Sequence, residues 1–382
     1  TRKPSVHAGL GDSSGATTYV ESQDKVAAVQ DEVEAALKMG LPASFTTTTP
    51  LPFAVKGAIR FDNQAQFHPR RFLLALAADI PGGGSHLFEQ TLVTGVEDGE
   101  PCVVSTARGR IRADAVVVAS HFPVADKARY AERMQPHRSY VLALRVAEPL
   151  RAGVFISAEP FHSTRSYPAP GSELIFVGGE GHRTGEGGAT VARYRRLEQW
   201  ARERFAVRSI EYHWSTQDNL TPDGAPYIGL YGPEARHCYV ATGFNGWGMA
   251  HGAVAGMLLR DLILGRRNPW TAVFDPNRAD PAEPATDSAE PSDGAAAPRV
   301  DIDAIAPGEG SIVTSPQGEV AVYKAPDGTL HRRSASCTHM GCSVAWNSAE
   351  QSWDCPCHGS RFGIDGKVLH GPAIEPLPAA SA

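Results

Sequence analysis

The sequence has neither an excess of positive charge nor a long apolar run. It contains 36 Lys and Arg against 42 Asp and Glu, which gives a formal net charge of −6. This balance provides no basic field for nucleic acid or anionic lipid. No apolar run approaches the roughly 20 residues that a membrane helix requires, and no signal segment opens the chain. The sequence therefore predicts a soluble protein without nucleic-acid partners or an integral membrane segment, located in the cytoplasm.

Cysteine is scarce, and it is unevenly distributed. The chain has only six Cys, whereas a disulfide-stapled secreted domain is shorter and denser in Cys. Cys102 and Cys238 each stand alone in strand-like sequence and are predicted to be buried core thiols. The other four lie close together near the C-terminus, among His residues. Such clustering of Cys with His indicates a metal site.

One stretch divides the 382 residues, which suffice for two or three domains. Residues 275–299 are mainly Ala, Pro, Asp and Glu, with no large apolar residue between Phe274 and Val300. Such a stretch buries too little surface to offset its ordering entropy. It is predicted to be a linker between bodies at 1–274 and 300–382, and a packed surface loop is the alternative.

Apolar periodicity and turn residues predict the secondary structure. Asp98-Gly99, Arg108-Gly109 and Pro326-Asp327-Gly328 are typical of tight turns between strands. The predicted helices cover residues 21–39, 70–78, 189–205 and 249–264. The predicted strands cover residues 87–96, 102–106, 111–120, 140–146, 153–158, 174–178, 209–214, 239–242, 320–324 and 329–334. A mixed α and β body is therefore expected before the linker and a small all-β body after it.

Two short motifs in the C-terminal body each combine one thiolate with one imidazole. The first is Cys337-x-His339 and the second is Cys355-x-x-His358. Such ligands suit zinc or an iron–sulfur cluster. Zinc sites usually place Cys on one arm and His on the other, whereas mixed arms suit a two-iron cluster with both Cys on one iron and both His on the other. The motifs favour the cluster, with structural zinc as the alternative.

This region, from about residue 300 to 378, resembles the disulfide-bearing branch of the Rieske iron–sulfur family. The resemblance implies that Cys337 and Cys355 bind one iron and that His339 and His358 bind the other. It also implies a disulfide between Cys342 and Cys357, and a third loop over the cluster at Gly371-Pro372-Ala373.

One residue departs from the pattern of the high-potential Rieske proteins. The second motif continues to Gly359-Ser360, and those proteins commonly carry a Tyr two positions after this Ser, where it donates a hydrogen bond to a ligand sulfur; this chain has Phe362. Ser360 is still able to donate. Fewer hydrogen bonds to sulfur stabilise the reduced cluster less. We expect a reduction potential below that of the respiratory members.

The N-terminal residues contain no complete dinucleotide motif. Gly9, Gly11 and Gly15 come nearest to G-x-G-x-x-G, but the third glycine is one place late and no strand precedes the first. The stretch is predicted to be a loop.

Other stretches resemble the D-amino-acid-oxidase-like family of FAD-dependent oxidoreductases, over about residues 16–274. They are Gln66–Pro69, Ala113–Ser120, Asp223–Gly229 and Tyr239–Met249. In the family, the last stretch is a strand, a glycine-rich turn and a helix whose N-terminus faces the flavin. A D-amino-acid-oxidase-like (DAO) domain followed by a Rieske domain is itself a known architecture. Residues 120–123 and 178–182 also resemble proteins with this architecture.

The resemblance implies a fold class and a flavin site. The fold is a partial FAD-binding, glutathione-reductase-like domain with an antiparallel substrate domain, of mixed α+β and α/β class, followed by the all-β Rieske domain. In the stretch Gly243–Gly248, glycines permit close approach to a flat ring, and the helix N-terminus offers N–H groups and positive dipole to the flavin. The alternative is that this stretch is only a tight turn between a strand and a helix. Because the family's glycine motif is missing, an N-terminally incomplete domain is expected. The implied FAD contacts are Ala119, Gly243, Phe244, Asn245, Gly246, Trp247, Gly248 and Met249.

Three isolated residues remain candidates for the substrate site. Arg138 and Arg165 lie in the strand-rich middle, where the family builds its substrate pocket. An Arg there pairs with a substrate carboxylate or is a solvated strand residue. His251, beside the glycine turn, is either a packed helix residue or a catalytic one. No catalytic residue is assigned.

The sequence supports two hypotheses of different kinds. In the first, an enzyme uses FAD to oxidise the CH–NH or CH–NH2 group of an amine or amino-acid-like substrate, and electrons pass through the [2Fe-2S] cluster to an external acceptor. In the second, only the cluster functions, as an electron-transfer module beside a flavin-poor N-terminal body.

Overall fold

The computed structural model describes residues 15–279 and 301–380, except 125, 127, 152, 168–171, 187, 316 and 317. Most of the predicted linker, the Gly9–Gly11 stretch and Val300 therefore lie outside the described residues. The chain divides into two compact units. One comprises Thr1–Phe88, Ser139–Gly181 and Val191–Thr216, and the other comprises Glu89–Arg138, His182–Thr190 and Gln217–Ala382.

The strands before the linker, in chain order, are β1 (Ala16–Val20), β2 (Ala43–Thr46), β3 (Gly57–Phe61), β4 (Val93–Glu97), β5 (Cys102–Thr106), β6 (Gly109–Ala113), β7 (Val116–Val118), β8 (Gln135–Val146), β9 (Val154–Ser157), β10 (His162–Ser166), β11 (Leu174–Arg183), β12 (Val207–Leu220), β13 (Tyr227–Leu230) and β14 (Cys238–Thr242). Those after it are β15 (Gly310–Ser315), β16 (Gly318–Lys324), β17 (Leu330–Ser334), β18 (Ala345–Asn347), β19 (Ser352–Asp354), β20 (Arg361–Gly363) and β21 (Val368–His370).

The helices are α1 (Val26–Lys38), α2 (Pro69–Ala78), α3 (Tyr130–Arg133), α4 (Thr190–Arg204), α5 (Gly248–Ile263) and α6 (Thr271–Phe274), with 3-10 turns at Gln23–Lys25 and Ile302–Ala304. Within the described ranges, no helix combines the length and the apolar character needed to cross a bilayer.

An eight-stranded sheet belongs mainly to the first unit. Its strand order is β12-β8-β11-β10-β9-β1-β3-β2. β1 runs parallel to β9, whereas β3 is antiparallel to β1 and β2, and β10 is antiparallel to β9 and β11. Tyr19, Leu144, Phe155 and Leu197 are buried in one core on this sheet. The sheet is thus mixed, because it combines the parallel β1–β9 pair with antiparallel pairs.

The second unit contains four smaller sheets. Their orders are β4-β5-β6, β13-β14-β7, β15-β16-β17 and β18-β19-β20-β21. The last two form the all-β body, whose apolar core includes Trp353, Phe362 and Leu377. The hairpin predicted around Pro326-Asp327-Gly328 is confirmed, because β16 and β17 pair antiparallel from Lys324 and Leu330.

Four predicted helices are confirmed with small shifts at their ends. α1 buries Val29, Val33 and Ala36, which recur on one face. α2 begins at the predicted His68-Pro69 step, where His68 Nδ1 accepts a hydrogen bond from Arg71 N and Pro69 occupies the first turn. α4 and α5 correspond to the predictions at 189–205 and 249–264.

The predicted strand 111–120 is wrong. The structure divides it between β6, which pairs with β5, and β7, which pairs parallel with β14. Of the expected buried core Ala115–Ala119, only Val118 is buried. The reason is that β7 is the edge strand of the described three-stranded sheet β13-β14-β7. Apolar side chains on an edge strand stay partly exposed, so an apolar run does not predict burial there.

Other strand boundaries also differ from the sequence prediction. The strand expected at 87–96 is β4, and Leu87, Phe88 and Leu92 before it are exposed. Before the linker, β1, β2, β3, β10 and β13 were not predicted, and β12 is far longer than 209–214. β1 contains two Thr among its five residues and β10 consists of His, Ser, Thr and Arg, so their apolar signal is weak even where they lie inside a sheet.

Ordered structure continues into the start of the predicted linker. Arg278 pairs with Asp223, with Nε 2.7 Å from Oδ2, and donates to the carbonyls of Ala225 and Pro226. The residues just after α6 are thereby fixed beside β13.

Candidate cofactor sites

Two loops of the all-β body carry the motif residues. The first follows β17, where Cys337 N donates to Cys342 O at 2.8 Å and Gly341 N donates to Cys337 O at 2.9 Å. The second follows β19, where Cys355 N donates to Ser360 O at 2.7 Å and Gly359 N donates to Cys355 O at 2.9 Å. Both glycines have positive φ, 81° and 74°, which residues with a Cβ rarely adopt. The two loops thus close with the same hydrogen-bond pattern.

The loops bring the predicted ligands together. His339 Nδ1 and His358 Nδ1 are 3.2 Å apart, and their rings meet edge to face with centroids 4.9 Å apart. The Cys337 and Cys355 side chains are only 3% and 1% exposed. Two imidazole nitrogens and two buried sulfurs therefore face inward from opposite loops.

The surroundings favour the metal-binding forms of these side chains. A hydrogen bond from Cys355 lowers the pKa of Cys337 to about 6, and backbone N–H groups of His339 and Met340 and the Ser360 hydroxyl also lower it. The pKa of Cys355, which donates that bond, is raised. Burial lowers the pKa of His339 and of His358, which favours the neutral imidazole that binds metals.

A disulfide and a third loop enclose the same region. Cys342 and Cys357 form a disulfide with Cα atoms 6.4 Å apart. Ala373 N, in the loop after β21, donates to Ser360 Oγ at 3.0 Å. Ser360 is thus held between the third loop and the Cys337 sulfur, and Phe362 is fully buried in the same core.

The second candidate site lies at one end of the β13-β14-β7 sheet. β14 ends at Thr242, and Gly243 turns the chain with a φ of 70°. A Cβ on Gly243 would come within 2.5 Å of Thr221 Cγ2, so only glycine fits. α5 then begins at Gly248 without a side-chain cap or an acidic residue in its first turn, and residues 246–249 are exposed. An open helix N-terminus of this kind suits an electron-rich ligand.

Asn245 braces this turn from within. Its Oδ1 accepts from Thr221 N at 2.8 Å, and its Nδ2 donates to Gly243 O at 2.7 Å and to Gly224 O at 3.2 Å. Asn245 has a positive φ of 52°. Its side chain therefore maintains the turn, and only its backbone is available to a ligand.

The remaining predicted contact lies at the same end of the sheet. Ala119 follows β7, and Val118 pairs with Val240 in parallel register. Ala119 is therefore level with the last residues of β14. The structure thus brings Ala119 to the edge at which the Gly243–Met249 turn begins.

The isolated candidates have different outcomes. Arg138 is buried, with Nε 3.5 Å from Asp354 Oδ2, so a protein carboxylate already faces it. His251 Nδ1 lies 3.2 Å from Phe244 O, and its ring packs on Phe274, as expected of a packed helix residue. The prediction that Cys102 and Cys238 are buried thiols is confirmed.

Arg165 differs from Arg138 in having no carboxylate partner among the described residues. Its Nη2 donates to Phe67 O at 3.3 Å, and burial lowers its pKa. Its Nε is buried and has no hydrogen-bond partner within the described part of the chain. The Gln66–Pro69 stretch lies along the same strand, since Gln66 Nε2 donates to Ser166 Oγ at 2.9 Å.

Sequence reasoning did not identify His121 and Phe122 as site residues. The Phe122 ring lies beside the His339 and His358 rings, and the His121 ring lies 5.3 Å from that of His370. The only sequence signal was the stretch 120–123, which was noted for its resemblance alone.

Comparison with known proteins identifies two families along the chain. The family model described as FAD dependent oxidoreductase (DAO) matches residues 9–262, and the Rieske [2Fe-2S] domain model matches residues 299–381. The Rieske 2Fe-2S iron-sulfur protein YhfW of Bacillus subtilis (strain 168) is 37% identical over 376 residues, which cover 94% of this chain and 73% of that protein. The cytochrome b6-f complex iron-sulfur subunit of Synechococcus sp. is 52% identical over 48 residues, 13% of this chain and 28% of that protein.

Solved structures share the fold of the longer region. Glycine oxidase from Geobacillus kaustophilus superposes with a TM-score of 0.59 at 21% identity, covering 71% of this chain and 76% of that one. L-proline dehydrogenase from P. horikoshii gives 0.56 at 19% identity, covering 71% and 78%. At such identities the likeness shows the fold.

Proposed function

We propose that this chain, which belongs to the FAD-dependent oxidoreductase (DAO) family and carries a C-terminal Rieske [2Fe-2S] domain, oxidises a small amine or amino-acid-like substrate and delivers the electrons to an external acceptor. Such a reaction removes two electrons and two protons from a CH–NH or CH–NH2 group. When bound, FAD supplies two-electron chemistry and the cluster supplies one-electron transfer. The observation that carries the proposal is that one compact unit contains both the four-ligand loops and the glycine turn.

For the cluster, we assign Cys337 and Cys355 to one iron and His339 and His358 to the other. The chemistry of these donors supports the assignment, since the thiols lie among N–H and O–H donors and burial lowers the pKa of both imidazoles. Ser360 holds a ligand sulfur by hydrogen bonding. The Cys342–Cys357 disulfide keeps the two loops together. We also propose a cytoplasmic location, and there the disulfide would need shielding from thiol reductants.

For FAD, we assign the contacts to Ala119 and to Gly243–Met249. The crowding at Gly243 and the exposed start of α5 support this assignment. Backbone N–H groups of the first turn would face the electron-rich edge of the flavin. Asn245 would act by keeping the turn in shape.

For the substrate, we assign a carboxylate to Arg165. Arg165 is half-buried, and a buried Nε without a hydrogen-bond partner in the described part of the chain is costly unless an acceptor reaches it. A carboxylate satisfies a guanidinium through two parallel hydrogen bonds. An amino acid or N-substituted amino acid carries both this carboxylate and the oxidisable C–N bond.

We also propose that residues 1–274, 275–299 and 300–382 are the oxidoreductase domain, the linker and the Rieske domain. The matched ranges of the two families leave residues 263–298 between them, which supports this division.

The test is anaerobic titration of the purified protein with amino acids and amines while its visible spectrum is recorded. Flavin bands that bleach with substrate, followed by loss of cluster absorption, are expected. Cluster absorption without flavin bands would instead favour a simple electron-transfer module. Metal analysis should find about two irons and two sulfides per chain; one zinc and no sulfide would refute the cluster assignment.

A further inference from the structure

An aromatic residue of the oxidoreductase region covers the imidazole side of the cluster site. The ring centroid of Phe122 lies 6.0 Å from that of His339 and 6.3 Å from that of His358. Both distances are typical of packed aromatic pairs. Phe122 is 5% exposed, and it belongs to the same compact unit as both histidines. The two imidazoles therefore face protein on this side.

The segment that carries Phe122 is held by residues beside the glycine turn. His121 O accepts hydrogen bonds from the Thr242 hydroxyl and from Asn219 Nδ2, the latter at 3.2 Å. Ser120 Oγ donates to Phe122 O at 2.7 Å. His121 has a φ of 65°, a conformation that persists only where the surroundings impose it. Since Thr242 directly precedes Gly243, one short segment connects the start of the glycine turn with the imidazole pair.

A buried polar network fixes the same contact from the second loop. Arg138 Nη2 donates to Gln217 Oε1 at 3.1 Å, and its Nε lies 3.5 Å from Asp354 Oδ2. Gln217 Nε2 donates to the carbonyl of Gly359, the residue after His358, at 3.1 Å. Buried ion pairs add little net stability, because desolvation offsets the attraction, but separating such a pair is costly, because it leaves a buried charge without its partner. Arg138 and Gln217 therefore hold the His358 loop where Phe122 meets it.

We propose that Phe122 is a positioning residue that closes the imidazole side of the cluster site, and that the Arg138–Gln217–Gly359 network keeps it closed. This side is then reserved for the oxidoreductase region of the same chain, and the external acceptor approaches from elsewhere. The inference rests on the proposed function only in placing the cluster at His339 and His358. Electron transfer through protein slows steeply with distance, so a ring over the imidazoles hinders any external reagent on this side.

The test measures how fast an external one-electron oxidant reaches the reduced cluster. The holoprotein, without amine substrate, is reduced with dithionite and mixed with ferricyanide in a stopped-flow instrument that follows the circular dichroism of the cluster. Phe122→Ala should raise the second-order rate constant several-fold, and Phe122→Leu should raise it less, because leucine still covers part of the site. Phe161→Ala, which truncates a phenylalanine that is 65% exposed, is the matched control and should leave the rate unchanged.

Electron paramagnetic resonance of the reduced cluster gives a second readout, because loss of the covering ring alters the orientation of the imidazole ligands. A merely structural Phe122 would lower the melting temperature without changing the oxidation rate per intact cluster. If both Phe122 variants retain the cluster and react at the wild-type rate, the proposal is overturned, whatever the substrate. If Phe122→Ala loses its cluster, the oxidation rate of Phe122→Leu alone decides whether the proposal stands. Faster oxidation in a protein that oxidises no amine would sustain the covering role and refute the proposed function.

Discussion

At the residue scale, Phe362 stands at the position where high-potential Rieske proteins commonly have a tyrosine that donates to a ligand sulfur. It is fully buried in one core with Cys337 and Cys355. Phe362→Tyr should therefore raise the reduction potential, because a donor to sulfur stabilises the more negative, reduced cluster. A hydrogen bond worth ~1 kcal/mol corresponds to ~40 mV for a one-electron couple, given 59 mV per factor of ten. Protein-film voltammetry of the holoprotein measures this shift.

The matched control for that substitution is Phe155→Tyr, which adds the same hydroxyl to another buried phenylalanine, in the core of the eight-stranded sheet. Its cluster potential should equal that of the wild type. An unchanged or lowered potential in Phe362→Tyr, with the cluster intact, would contradict the role given to this position.

Arg165 carries a second prediction at the residue scale. Arg165→Lys keeps the charge but removes the second of two parallel hydrogen bonds to a carboxylate. If this weakens binding by about 1.4 kcal/mol, which is a factor of ten, KM for an amino-acid substrate should rise about tenfold. Steady-state kinetics are measured with an amino-acid substrate and with its decarboxylated amine. KM should rise for the amino acid and stay unchanged for the amine, which has no carboxylate for Arg165 to bind. Arg145→Lys, at an exposed arginine paired with Glu211, is the control. Equal effects of Arg165→Lys on both substrates would contradict carboxylate binding.

At the scale of elements, the turn between β14 and α5 depends on Asn245. Asn245→Ala leaves Thr221 N without its acceptor and removes the three hydrogen bonds that Nδ2 donates to Thr221 Oγ1, Gly224 O and Gly243 O. We expect the free energy of unfolding to fall by about 1–3 kcal/mol, the cost of unsatisfied buried groups, and bound flavin per chain to fall with it. Urea denaturation and the flavin-to-protein absorbance ratio measure the two effects.

Asn63→Ala provides the control, because Asn63 is exposed and has a similar positive φ of 58°. It shows the effect of replacing an asparagine with positive φ where the hydrogen bonds of Asn245 are not involved. A loss of flavin equal in both variants would show that the hydrogen bonds of Asn245 are not what maintains the turn.

At the scale of the whole molecule, the all-β body has its own core, disulfide and ligand set. We expect residues 300–382, expressed alone and reconstituted with iron and sulfide, to fold and to show the [2Fe-2S] spectrum. In the full chain Asp354 is paired with Arg138 and also with Arg361, whose Nε lies 3.1 Å from Oδ1. The fragment keeps only Arg361, so its melting temperature should be lower than that of the cluster-bearing body in the full chain, as measured by cluster circular dichroism. A fragment that stays unfolded with iron and sulfide supplied would show that this body depends on the oxidoreductase region.

The sequence by itself predicted the features whose chemistry is local. The Cys337–Cys342 and Cys355–Ser360 loops are short, so residue type and spacing predicted a metal site, and the resemblance to the Rieske family implied which side chains meet across the two loops. The hairpins at Asp98-Gly99 and Pro326-Asp327-Gly328 depend on the turn residues themselves. The helix at Pro69–Ala78 carries its own start signal in His68.

Tertiary structure alone decided the features that depend on distant partners. The run at 111–120 is split because burial depends on which strands lie beside it, and β7 has a neighbour on one side only among the described strands. Arg138 was a candidate for substrate binding until Asp354, more than two hundred positions later, was seen to face it. Phe122 covers His339 and His358 for the same reason: neither spacing nor periodicity records a contact between residues so far apart along the chain.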